Sequence, residues 1–125
     1  MNGVAPKLTT DDALGVIATT ARRQILRALT EGDAVPVSDL VRVLSRHEDT
    51  PGMAGIGRSL RHIHLPKLDA HNVIEWDREG RTVETGPNYA LARELTTLVE
   101  YAMEHDDILS GPPPGDDVDD GGEMA

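Results

Sequence analysis

Leu60-Arg61-His62-Ile63-His64-Leu65-Pro66-Lys67-Leu68, followed by Asn72-Val73-Ile74-Glu75-Trp76-Asp77, changes from helical to strand patterning within one short stretch. From about Ala54 the apolar residues Ile56, Leu60, Ile63 and Leu68 recur at helical spacing, which predicts a helix with Ile56, Leu60 and Ile63 turned to the core. Pro66 lacks an N–H and crowds the preceding turn, so a kink or a re-phased last turn is expected in place of one straight helix. Asn72 is placed to end that helix in the left-handed conformation. Val73 to Asp77 and Arg81 to Thr85 then read as two strands joined by the polar Arg78-Glu79-Gly80, a hairpin pattern.

Upstream, Thr9-Thr10-Asp11-Asp12 offers a hydroxyl cap and acids that complement a helix dipole, with Ala13, Leu14, Ile17 and Ala18 as a short apolar face. A second helix is expected over about Thr20 to Thr30, apolar at Ala21, Ile25, Ala28 and Leu29, with Arg22, Arg23 and Arg27 on its other faces and Gly32 ending it. Val35-Pro36-Val37 leads extended into Ser38, the expected N-cap of a third helix. Leu40, Val41 and Leu44 form its inward stripe, it ends near His47, and Thr50-Pro51-Gly52 marks the turn that closes it.

Downstream of the hairpin, Gly86-Pro87 opens a final helix whose stripe of Ala90, Leu91, Leu95, Leu98, Val99 and Ala102 runs to about Glu104. After Leu109 the chain turns to Gly, Pro and Asp, which bury no core and are expected to be disordered. The expected organisation is a flexible N-terminus over 1–8, one domain over 9–109 closing with a helix at about 87–105, and an acidic tail over 110–125. The fold class is mainly α with a small β-hairpin, in the order α-α-α-α-β-β-α. Read spatially this is a winged helix-turn-helix, with the third and fourth helices as the helix-turn-helix and the hairpin as the wing.

The 125 residues suffice for one modest core. Asp and Glu number 22 against 12 Lys and Arg, the net charge is -10, Arg outnumbers Lys ten to two, and Phe is absent. A surplus of strongly hydrated carboxylates with small aliphatics in place of aromatics fits a protein kept soluble in concentrated salt, and so a halophilic source. The lack of cysteine excludes disulfides, thiolate nucleophiles and thiolate metal sensors, and fits a reducing interior. Met1 to Pro6 lacks a basic stretch followed by an apolar one and all apolar runs are short, so a cytoplasmic location is expected.

The fourth helix and first wing strand resemble those of winged-helix regulators similar to the arsenical-resistance repressor class, and most closely a broad haloarchaeal family of such domains. The likeness spans roughly Thr10 to Glu100. It rests on a His-Leu, two residues, a Leu, a short helix end and two apolar strand residues, here His64-Leu65, Leu68 and Val73-Ile74, with the wing glycine Gly80 behind them. Pro66 and the long Gly-rich turn at 48–57 depart from the general class. The resemblance implies transcriptional regulation by DNA binding and dimerisation through terminal helices.

Thr50 to Leu68 carries Arg58, Arg61 and Lys67 and no acid, a basic island on an acidic chain. With Ile56, Leu60 and Ile63 inward, a rotation of about 100° per residue sets Arg58 and His62 on the opposite face, with Ser59 and Arg61 towards its flanks. Arg78 and Arg81 flank Gly80 at the wing tip, within reach of the minor groove or the backbone. Arg58, Ser59, Arg61, His62, Lys67, Arg78 and Arg81 are therefore the expected contacts to double-stranded DNA; the plainer alternative is arginines that balance neighbouring carboxylates. At 1 M salt the Debye length is about 3 Å. Direct contacts and shape must then carry affinity, and a shallower salt dependence than that of a basic repressor is expected.

Leu91, Leu95, Leu98, Val99 and Ala102 are the expected homodimer interface, because so long a closing helix exceeds the need of one small domain and DNA readers often pair half-sites across a two-fold axis. Packing on its own domain is the alternative. His47, His62, His64, His71 and His105 make no recognisable metal set, since His62 and His64 point to different faces and Pro66 separates His64 from His71. His64 is expected to be partly buried, His62 exposed, and Trp76 an anchor for the hairpin. No Ser-His-Asp arrangement, phosphate loop or paired carboxylates stands out, so neither an enzyme nor a cofactor is expected. A competing reading keeps the winged-helix fold as a protein-protein interaction module in a signalling or transcription complex, which the acidity favours and the basic island disfavours.

Overall fold

The computed structural model describes residues 7–46 and 52–105. Their elements are α1 (Thr10–Val16), α2 (Thr20–Ala28), β1 (Val35–Pro36), α3 (Val37–Ser45), α4 (Met53–Ser59), a π-helical turn (Leu60–His64), α5 (Leu65–Ala70), β2 (Ile74–Asp77), β3 (Thr82–Thr85) and α6 (Tyr89–Glu104). The architecture is mainly α with a small antiparallel sheet, a winged helix-turn-helix. The third helix ends at Ser45, and His47, the turn at 50–51, the residues before Lys7 and the acidic tail lie outside the described residues. Among the described residues no helix is long and apolar enough to cross a membrane.

Hydroxyl caps start the first two helices. Thr9 Oγ1 accepts from the Asp12 amide at 3.0 Å, and Thr19 Oγ1 accepts from the Arg22 amide at 3.2 Å, each satisfying a donor that has no partner inside its helix. The α1 face that turns inward is Ala13, Val16 and Ile17, while Leu14 and Ala18 are exposed.

The sheet has three strands, in the order β1-β3-β2. The stretch before α3 is thus part of the wing sheet as well as a connection: Val35 pairs with Val83 and Pro36 with Thr82. Pro36, on an edge strand, has φ -62° and precedes the helix directly, so Ser38 is the second residue of α3 and does not cap it. The cap comes from the hairpin, where the Arg81 carbonyl accepts from the Val37 amide at 2.9 Å. Wing and helix-turn-helix are joined through that contact.

The segment around Pro66 is re-phased by the π-helical turn. Leu65 donates its amide to the Leu60 carbonyl five residues back, which widens the turn just before a proline that has no amide to give. Leu60 and Leu65 are both fully buried although five residues apart, and Leu68 follows three later. Ile63, expected inward, is 55% exposed as a result.

The fourth-helix segment then ends in a two-bond cap. Asn72 sits at φ 62°, its amide donates to Asp69 O at 3.0 Å, and the Val73 amide donates to Leu68 O at 3.0 Å, the pairing of a Schellman motif. Val73 and Ile74, both buried, enter the core at once.

That core is aliphatic: Val16, Ile25, Leu26, Leu40, Leu44, Leu60, Leu65, Leu68, Ile74 and Val83 are buried together with Val73. Each such side chain contributes about 1.5–3 kcal/mol by leaving water. The closing helix begins at Tyr89, two residues beyond Pro87. Gly86 is obligatory there, because a Cβ on it would lie 2.6 Å from the Asn72 carbonyl oxygen. Inward positions on α6 are Tyr89 and Ala92, not Ala90 and Leu91, and the Tyr89 hydroxyl donates to the Leu26 and Leu29 carbonyls at 2.8 and 3.2 Å. By its contacts the chain divides within α6: residues up to Leu95 form one compact unit, and Thr96 onward, described to His105, belongs to a second.

Candidate nucleic-acid interface

On α4 and the π turn, Arg58, Arg61 and His62 are exposed and Ser59 is half-buried, while Lys67 on α5 is also half-buried. Arg58 and His62 are four residues apart, as are Ser59 and Ile63, so the outward surface is two neighbouring rows along one helical segment. Arg61 flanks them on the side that faces the wing. Gly57, buried one turn earlier, makes room for it: a Cβ at that position would lie 3.2 Å from Arg61 Nη1 and 3.9 Å from Val41 Cγ2.

Arg61 opens onto a groove of about 740 Å³ between the start of α3 and the hairpin. Its walls include Ser38 and Val41 of α3, Trp76 of β2, Thr82 of β3, and Arg78, Gly80 and Arg81 of the wing turn. Three guanidinium groups therefore border one groove, and none of its lining residues is acidic. The turn that presents two of them is held by Asp77, whose Oδ1 accepts from the Gly80 amide at 3.0 Å. Arg78 lies over the Trp76 ring at 4.3 Å from its centroid, a cation–π contact. Trp76 is half-buried and lines the groove, so it serves the surface as well as anchoring the hairpin.

Arg81 sits at φ 59°, a left-handed conformation that a side chain with Cβ adopts at a cost of about 1–2 kcal/mol. Gly80, next to it, is not in that region. Among the described residues Arg42 is paired with Asp39 on α3, and no such carboxylate partner meets Arg58, Arg61, Arg78 or Arg81.

Arg22 differs from the expectation most. Expected away from the apolar face of α2, it is buried. Its Nε donates to Val16 O at 2.6 Å and its Nη2 to Gly15 O at 3.0 Å, satisfying carbonyls at the end of α1, while Nη1 donates to His64 Nδ1 at 3.2 Å. The guanidinium thus ties α1 to the π turn. Its spacing from Ile25 and Leu26, three and four residues on, is the sequence signal that marks the inward face. Burial lowers the Arg22 pKa.

His64 is half-buried and His62 exposed. Burial first, and the adjacent Arg22 charge second, hold the His64 pKa below its ordinary value, so the imidazole is neutral and accepts at Nδ1. Because the folded state resists a proton that the unfolded chain takes up below about pH 6.5, stability should be level above that pH and fall as the pH drops through the lowered folded value. Melting curves at pH 7.5 and 5.5 check this. H64Q should lose less stability than the parent between the two; identical losses would reject the linkage. Among the described residues no group of three or more His, Asp or Glu is arranged to hold a metal ion, and His47 is not among them.

On α6, Leu91 and Leu98 are 48% and 60% exposed, and Leu95, Val99 and Ala102 are partly exposed. Leu91 and Leu98, seven residues apart, fall on one stripe that also takes in Leu95, Ala102 and the exposed Tyr101. The buried Ala92 lies about 100° round the helix from Leu91.

No curated protein and no solved structure matches the chain. One family does, over residues 14–84, from the first helix through the second wing strand and so more than half of the sequence. On that match the chain belongs to the family described as Domain of unknown function (DUF7344).

Proposed function

We propose that this chain is a cytoplasmic transcriptional regulator of a halophile, which reads duplex DNA as a homodimer with α4, the π turn and the wing. One observation carries the reading: on a chain with 22 carboxylates, Arg58, Arg61, Arg78 and Arg81 keep no acidic partner among the described residues, and three of them line one groove free of acids. Arg42, by contrast, is paired with Asp39. A cluster left without carboxylates suits phosphate and base-edge acceptors, which guanidinium groups bind bidentately. The resemblance to winged-helix regulators points the same way.

Genome-wide binding in high-salt cells tests the reading against an R58A/R61A/H62A variant. Sequence-defined peaks that vanish in the variant are expected; a parent protein without peaks would favour the protein-interaction module. The outward apolar stripe of α6 supports a second copy as its occupant, since a monomer gains nothing by exposing Leu91 and Leu98. L91E/L98E should run at half the parent mass in light scattering with its melting temperature little changed. A parent that is already monomeric would reject the dimer.

A further inference from the structure

We propose that Ile63 reads the C5 methyl group of thymine in the major groove, an inference that rests on the DNA-binding reading above. Ile63 is 55% exposed, a large β-branched side chain on the segment with the fewest reasons to display one. Its exposure is made by the π turn, which moves Leu65 into the inward place and leaves Ile63 outside. π turns of this kind recur at functional positions because they re-aim side chains at the expense of regular helix.

The surroundings commit the surface to one occupant. Ile63 stands one turn beyond Ser59 and directly after His62, beside the Arg58 row, and Met53 to Leu68 contains no carboxylate. A protein partner for an exposed apolar residue on a basic segment without acids would need an acidic rim around an apolar contact. DNA supplies the same combination in a fixed geometry, with phosphates on both sides of a groove floor where the thymine methyl is the apolar feature. The stiff χ1 of isoleucine adds that little side-chain freedom is lost on contact.

The experiment uses the full chain in molar KCl. Duplexes selected from a random library are compared with the same sequences carrying deoxyuridine for thymidine at one position at a time, which deletes only the methyl group. The parent should lose about four-fold in affinity at one position in each half-site, the factor that burial of one methyl corresponds to. I63A should bind the thymidine and deoxyuridine duplexes equally, and I63V should keep most of the preference. Because Ile63 is exposed, its variants are expected to melt with the parent. Parent binding that is tight but indifferent to deoxyuridine at every position overturns the proposal and leaves the DNA reading standing. No retained duplex at all overturns the DNA reading itself. A change of mass in I63A would assign the residue to a protein contact and also overturn the proposal.

Discussion

Replacing Arg22 by methionine should lower the stability of the domain by about 3 kcal/mol, the largest effect expected of any single charged residue here. Methionine fills most of the volume but leaves the buried Val16 carbonyl with no donor, removes the guanidinium donor from the part-buried His64 Nδ1, and leaves the Gly15 carbonyl only the Ala18 amide. A buried acceptor left unsatisfied costs about 1–3 kcal/mol, and a part-buried one less. The sum is offset by the desolvation that the buried guanidinium no longer suffers. In a domain of this size such a loss corresponds to a drop of more than about 12 °C in melting temperature. Lysine should recover only part of it, because a single ammonium cannot span three acceptors that lie on two separate elements. Urea or thermal unfolding in molar KCl measures both variants. A loss under about 1 kcal/mol would show that the end of α1 and the π turn are held by something other than Arg22.

The second large effect is on DNA. R61A/R78A/R81A should weaken duplex binding about 100-fold, roughly 1 kcal/mol per lost charge-assisted contact. The factor should be similar for every sequence, since groups bordering a groove between helix and wing meet phosphates in preference to base edges. Each phosphate contact removed should also lower the slope of log affinity against log salt by about one. Arg58, on the outward rows of α4, should instead alter sequence preference. A control separates binding from folding: R81G relieves the left-handed strain at that position, so its stability should stay within about 1 kcal/mol of the parent while its affinity falls. Unchanged affinity in the triple variant would return these arginines to the role of surface charge alone.

How legible the molecule was in its sequence varied with the range of the interaction concerned. The Thr9 cap, the left-handed Asn72 and the hairpin depend on residues within a few positions, and each stands where local chemistry places it. Pro66 announced a disturbance of the helix but not its form, because a kink and a wider turn both remove the clash. The difference decides whether Ile63 or Leu65 faces inward. The candidate contact residues followed from charge and helical rotation, whereas the groove joining Arg61 to the wing required knowing that β1 enters the sheet.

Sequence alone was sufficient for the succession of helices and the β2–β3 hairpin, most of the aliphatic core and the island of cations without acids, since periodicity, capping and composition are properties of neighbours along the chain; it did not show that the stretch before α3 joins the sheet as a third strand. Only the folded arrangement turned Arg22 inward onto His64, 42 residues away, seated the start of α3 on the Arg81 carbonyl, and put Ile63 on the outside. Those outcomes hinge on which distant backbone carbonyl or cavity is nearest once the helices have packed, a quantity that no local pattern carries.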